Sequence, residues 1–369
     1  MKKILKKLLA ILPMLALGFV CGLLIGKYAL EAENRGLSGG IWGAIALLFI
    51  GFVLALYLQT AAHEAGHLVC GLLTGYRFCS YRLGSLMVVW DDGKYRLRRL
   101  KVAGTAGQCL MAPPPWTEHL PVTLYNLGGC LFNLLLSGIS LLLWFLLREH
   151  WLGALPLVTA LSGFAMALTN GIPMRVGGVD NDGRNAFHLR KNTTAKRAFW
   201  LQMKVCEAQA KGLRLHQMPE SWFVWPQKDM ENPLVATIAV FSCNRLMDQC
   251  RFSEAQTAME KLLSAKTGIL GLHRNLLHCD LLYCRLQTGQ LASAKQLLTR
   301  EQLSFMKTMK SFPSVIRTQY ALAVAEDDKA KQQIYRKAFE KAAKTYPYPA
   351  EIHSEQELLS LADRTGALV

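Results

Sequence analysis

The sequence predicts a mainly α-helical membrane protein: four transmembrane helices, a small β-hairpin between them, and an all-α, tetratricopeptide-like soluble domain at the C-terminal end. Three observations carry this. Apolar runs of spanning length recur through the first half of the chain. Lysines and arginines concentrate in alternate segments between those runs. From about Asn185 onward the chain is soluble in character.

The 369 residues are 51% hydrophobic and carry a formal net charge of +16. A basic chain suits nucleic acid or an anionic membrane surface, and the apolar runs decide for the membrane. The first runs from about Leu8 to Ile25, preceded by Lys2, Lys3, Lys6 and Lys7. It is long, and no clear small-x-small cleavage site follows, so it reads as a retained helix within residues 1–30 rather than a removed signal. The second extends from Ile41 to about Leu58 and continues helically to Leu73. The third covers Leu120 to Leu147, and the fourth Leu152 to about Ile172. Each reaches the roughly twenty residues that cross a hydrocarbon core.

Orientation follows from the basic residues. The N-terminus, the loop from Tyr76 to His119 and the segment after Ile172 are rich in Lys and Arg. The loop from Lys27 to Gly40 and the turn at Arg148 to Trp151 balance basic with acidic residues. Both termini are therefore expected on the cytoplasmic side of a multi-pass cell-membrane protein. The ten cysteines form no Cys-x-x-Cys pair, and no disulfide framework is expected.

Within residues 76–105, the runs Tyr81 to Trp90 and Lys94 to Val102 flank Asp91-Asp92-Gly93, a hairpin signal. A phase slip at Arg99 predicts a bulge. Such a hairpin either clamps two helices or offers an edge to a peptide strand. Residues 186–235 read as a linker and helix, and 236–369 as a helical cytoplasmic domain. There, Phe252-Ser-Glu-Ala255 and Leu291-Ala-Ser-Ala294 recur about forty residues apart, with a third unit over Asp327 to Ala343. This pattern resembles helical-hairpin repeats, at a spacing wider than the usual thirty-four.

The most informative residues close the second run: His63-Glu64-Ala65-Gly66-His67. On a helix the two histidines lie one turn apart on one face and can share a zinc ion. The glutamate after the first can take a proton from water at the metal. Ionisable groups on so apolar a helix are functional by default. A catalytic zinc needs a third protein ligand and one open position. Asp180, Asp182, His188, Glu118 and His119 are the candidates, the first two following a glycine-rich turn that lets the chain fold back.

These motifs resemble the site-2 protease family of membrane-embedded zinc metalloproteases. His63-Glu64-x-x-His67 ends one span; Gly129-Cys-Leu-Phe-Asn133 in the next is similar to the family's Gly-x-x-x-Asn element. Asn170-Gly-Ile-Pro173 with Asp182-Gly183 resembles its Asn-x-x-Pro…Asp-Gly motif, in a longer-spaced form that leaves Asp180 as a rival. The resemblance covers about residues 41–185 and implies a metalloprotease core with the hairpin near the active site. It implies Glu64 as catalytic base, and His63, His67 and Asp182 as zinc ligands, with Asp180 the alternative. Asn133 and Asn170 are implied as substrate-orienting residues, although for Asn133 a side-chain amide hydrogen-bonding between helices is an equal reading. The implied activity is hydrolysis of peptide bonds in or near transmembrane segments. The expected partners are a membrane-spanning protein or peptide substrate, the bilayer, and a protein bound by the C-terminal domain; no nucleic acid is expected. The alternative is a non-proteolytic membrane scaffold that binds its partner through the helical domain.

Overall fold

A computed structural model describes residues 2–36, 40–91, 93–100, 105–176 and 178–366. Helix α1 spans Lys2–Asn34 and α2 spans Gly40–Leu73. Four strands follow: β1 (Arg77–Leu83), β2 (Leu86–Asp91), β3 (Lys94–Arg99) and β4 (Gly107–Ala112). Then come α3 (Val122–Leu147), α4 (Ala154–Gly171), the two-residue strands β5 (Arg175–Val176) and β6 (Val179–Asp180), and α5 (Asp182–Lys191). The rest is helical: α6 (Thr193–Ala210), α7 (Pro233–Asp248), α8 (Phe252–Ser264), α9 (Gly271–Gln287), α10 (Leu291–Gln296), α11 (Arg300–Thr308), α12 (Pro313–Ala325), α13 (Lys329–Ala343) and α14 (Pro349–Gly366).

The chain divides into two compact units. The first comprises residues 1–84, 104–109 and 119–191; the second comprises 85–103, 110–118 and 192–369. In the first, three helices among the described residues are long and apolar enough to cross a membrane: Gly40–Leu73, Val122–Leu147 and Trp151–Gly171. The expected first span falls within α1, where the side chains of residues 2–14 lie outside the described ones. These three helices pack through small residues, which let backbones approach closely. Gly66 of α2 meets Gly128 of α3, and a Cβ on either would strike the other's carbonyl. Gly163 of α4 fits against Ser137 of α3 and Gln59 of α2.

In the second unit, β2 and β3 pair antiparallel from Leu86↔Arg99 to Asp91↔Lys94. The hairpin forms where the alternation and the Asp-Gly pair predict it, with Asp92 of the turn outside the described residues. The expected bulge at Arg99 does not form. Pairing runs in unbroken register to Arg99, where the strand ends with Leu100 N still donating to Ser85 O at 3.0 Å and the Arg99 N–H turned outward to Thr345 O at 3.1 Å. The phase slip therefore marks a strand end rather than an inserted residue.

The helical part of this unit repeats one turn three times. Cys250, Gly289 and Asp327 each take a positive φ, between α7 and α8, α9 and α10, and α12 and α13. Each lies two residues before the next helix, and each turn makes the same pair of closing bonds: Cys250 N to Met247 O with Arg251 N to Leu246 O, and likewise at the other two. That double closure is the Schellman motif. Buried Met259, Leu277, Leu282 and Tyr283 fill the core between the hairpins.

Candidate metal centre

His63, Glu64 and His67 lie in the last third of α2, each no more than 9% exposed. The tight approach at Gly66 and Gly128 brings their helix against α3. Gly129, one residue on, sits where a Cβ would strike the His63 ring. Asn133, one turn further along α3, accepts from His63 Nδ1 at 2.7 Å through its Oδ1. Both ends of the Gly-x-x-x-Asn element thus touch one imidazole.

Asn133 is itself held. Its amide Nδ2 donates to Gln59 O and to Gln59 Oε1, both at 2.8 Å, while Gln59 Nε2 donates to Thr159 O at 2.9 Å. An amide nitrogen carries two hydrogens, and both are engaged by Gln59. The side chain therefore positions His63 and keeps no donor for a further group. Its orientation also fixes the His63 tautomer: Asn133 Oδ1 can only accept, so Nδ1 bears the hydrogen. His67 Nδ1 donates to Tyr125 O at 2.8 Å, with the same consequence. In both neutral imidazoles the Nε2 lone pair is left for the site.

Those two nitrogens meet a carboxylate. His63 Nε2 lies 3.2 Å from His67 Nε2, and Asp182 Oδ2 lies 3.0 Å from the first and 3.5 Å from the second. His63, His67 and Asp182 together could hold a metal ion, and among the described residues they are the one such group.

Asp182 opens α5, and Asn181 fixes it there. Asn181 Oδ1 accepts from Met174 N and Arg184 N, each at 3.0 Å, and its Nδ2 donates to Thr169 O at 2.8 Å and Ile172 O at 2.7 Å. One side chain thus caps α5 and ties it to the end of α4. Gly183 packs against Gly171, where a Cβ would strike the carbonyl oxygen, which explains a glycine after the aspartate.

The other candidates go elsewhere. Asp180 faces Arg175 and Arg184, at 2.5 and 3.0 Å, and is not part of the cluster. Asn170 donates to Met166 O at 3.0 Å within its own helix. His188, Glu118 and His119 do not join the group. Sequence reasoning missed Gln59 and Asn181. An asparagine directly before a helix is a capping signal, so Asn181 was open to detection; nothing local marks Gln59.

Glu64 points toward β4. A Cβ at Gly107 would lie 2.6 Å from Glu64 Oε1, so the strand backbone runs against the carboxylate. Tyr81 of β1 donates to Ala61 O at 2.6 Å, tying the strand to the same helical turn. The site can therefore offer two imidazole lone pairs and the Asp182 carboxyl, with the Glu64 carboxyl adjacent. No family model, curated protein or solved structure matches this chain.

Proposed function

We propose that this chain is an intramembrane zinc endopeptidase of the site-2 protease kind. The observation that carries the reading is the convergence of three lone-pair donors on one point of a membrane-type helix. Inside 3.5 Å of one another, and with each Nδ1–H already engaged, these groups repel unless a cation joins them. Zinc fits the set. Ligand atoms about 2.0–2.1 Å from a tetrahedral ion lie about 3.3 Å apart, and the three separations here are 3.0, 3.2 and 3.5 Å.

His63, His67 and Asp182 would hold the ion, and three protein ligands leave the open fourth position that a catalytic centre needs. When bound, zinc supplies Lewis acidity that makes water nucleophilic near neutral pH and polarises a carbonyl. Glu64 accepts a proton from the attacking water and returns it to the leaving amine as the peptide C–N bond breaks. Gly107 leaves the carboxylate room to do so. Asn133 and the Tyr125 carbonyl keep both imidazoles in the tautomer the chemistry requires.

Substrates are peptide bonds in or near transmembrane segments, because the catalytic groups lie on a helix apolar enough to span. The basic loops support four spans with both termini cytoplasmic. The three matching helical hairpins, about 39 residues apart, support a tetratricopeptide-like domain that binds a protein partner. Purified wild type, Glu64→Gln and Asp182→Ala, assayed for zinc content and for cleavage of a transmembrane peptide, test the reading. A topology reporter fused after residue 230 tests the orientation, and an extracellular signal refutes it.

A further inference from the structure

A second polar centre lies in the helical domain. A cavity of about 220 Å³ opens between α6, α7, α9, α12 and α14. That is several times the roughly 30 Å³ of a water molecule and below the roughly 300–1,000 Å³ of drug-sized sites, so its occupant is small. Its wall carries four carboxylates, Asp248, Asp280, Glu351 and Glu355, against two guanidiniums, Arg214 and Arg317.

The pairing is uneven. Arg214 meets Asp248 at 2.8 Å. Arg317, 1% exposed, is shared between Asp280 at 2.5 Å and Glu355 at 2.9 Å. Glu351 stands one turn before Glu355 on α14, and the Tyr346 hydroxyl donates to it at 2.9 Å. Among the described residues no cation pairs with it. One guanidinium therefore serves three carboxylates. His273 lines the same cavity, and its buried Nδ1 has no hydrogen-bond partner. Burial pushes this imidazole's pKa down, so it adds a neutral polar group rather than the missing charge.

Buried charges are paired or they are costly. Without a cationic partner Glu351 is costly to ionise: burial and the neighbouring Glu355 push its carboxyl up to about 7. A bound cation would remove that conflict. Phe241, Leu277 and Phe312 supply an apolar wall for a short alkyl body.

We propose that this cavity binds a small organic cation, a primary amine or guanidinium on a short alkyl chain, with its charged head at Glu351 and Glu355. The same chemistry is offered by a free alkyl diamine and by a lysine or arginine side chain of a peptide. The test titrates the full chain in detergent near pH 8, in the Glu64→Gln background so that no peptide is consumed. The calorimetric probes are cadaverine, a capped lysine tripeptide and the diol matching cadaverine. Saturable one-to-one binding of cadaverine or the tripeptide, with none of the diol, is expected. The tighter of the two identifies the source. Glu351→Gln is expected to weaken that binding at least about tenfold, the scale of a lost hydrogen bond to a charged group. His273→Phe, which fills the cavity, carries the same expectation should Glu351→Gln lose its helical circular dichroism. No saturable binding of either charged probe, or undiminished affinity in a folded variant, overturns the proposal.

Discussion

His63 Nδ1 lies 2.7 Å from Asn133 Oδ1, and this bond joins the histidine-bearing end of α2 to the middle of α3. It sets which imidazole nitrogen faces Asp182 and makes Asn133 part of the centre without touching an ion. Asn133→Leu is expected to lower zinc affinity about 10- to 100-fold, the usual effect of losing such a support. Competition against a chromogenic chelator measures it. Asn133→Asp keeps an acceptor for His63 and is expected to lose less.

Gly129 makes room for the same ring. Gly129→Ala drives a methyl group into His63 and is expected to abolish stoichiometric zinc, read by elemental analysis of purified protein. Gly138→Ala, on the same helix with nothing within 4 Å, is the matched control and keeps its zinc.

Asp182 and Asp180 separate cleanly. Asp182→Ala removes a ligand oxygen and is expected to lose the metal. Asp180→Ala frees Arg175 and Arg184 but leaves the three donors in place, so zinc is retained. Asn181→Ala leaves every donor present yet cuts the four bonds that hold the start of α5. Its zinc affinity is expected to fall between those of the other two variants.

Stability of the helical domain is expected to depend on pH through Glu351. Its carboxyl is raised from 4.5 to about 7 in the folded protein, so the folded state keeps a proton that the unfolded chain has released. That contribution is complete below pH 4.5 and lost as pH rises through about 7. Its full size is on the order of 3 kcal/mol. Thermal unfolding of the ligand-free protein, followed between pH 5 and 8, should show a falling midpoint that Glu351→Gln flattens.

Much of this centre was legible because its parts carry local signals. A helical His-Glu-x-x-His announces itself by spacing, and an Asp-Gly pair after a proline-stopped helix suggests a chain folding back. The hairpin, too, follows from alternation around Asp91 to Gly93. Gln59 and the tautomer of each histidine were not legible, because they depend on which carbonyl of another helix lies opposite. Asn170 shows the converse: its motif position resembles a site residue, yet its side chain bonds back to Met166 in its own helix. At Arg99 a change of alternation was ambiguous between a bulge and an ending, and only pairing with β2 distinguishes them. Helical-hairpin spacing was visible near Ala255 and Ala294, but the matching positive-φ turn at Cys250 was not, since cysteine does not advertise that conformation as Gly289 and Asp327 do.

In the proposed activity Glu64 carries the proton beside a zinc held by His63, His67 and Asp182. The most direct measurement compares wild type with Glu64→Gln for zinc content and for cleavage of a transmembrane peptide in the same preparation. Both proteins are expected to hold one zinc and the variant to lose about 10²- to 10⁴-fold in cleavage rate, the range of general acid–base catalysis. Undiminished cleavage by a zinc-replete Glu64→Gln protein would contradict it.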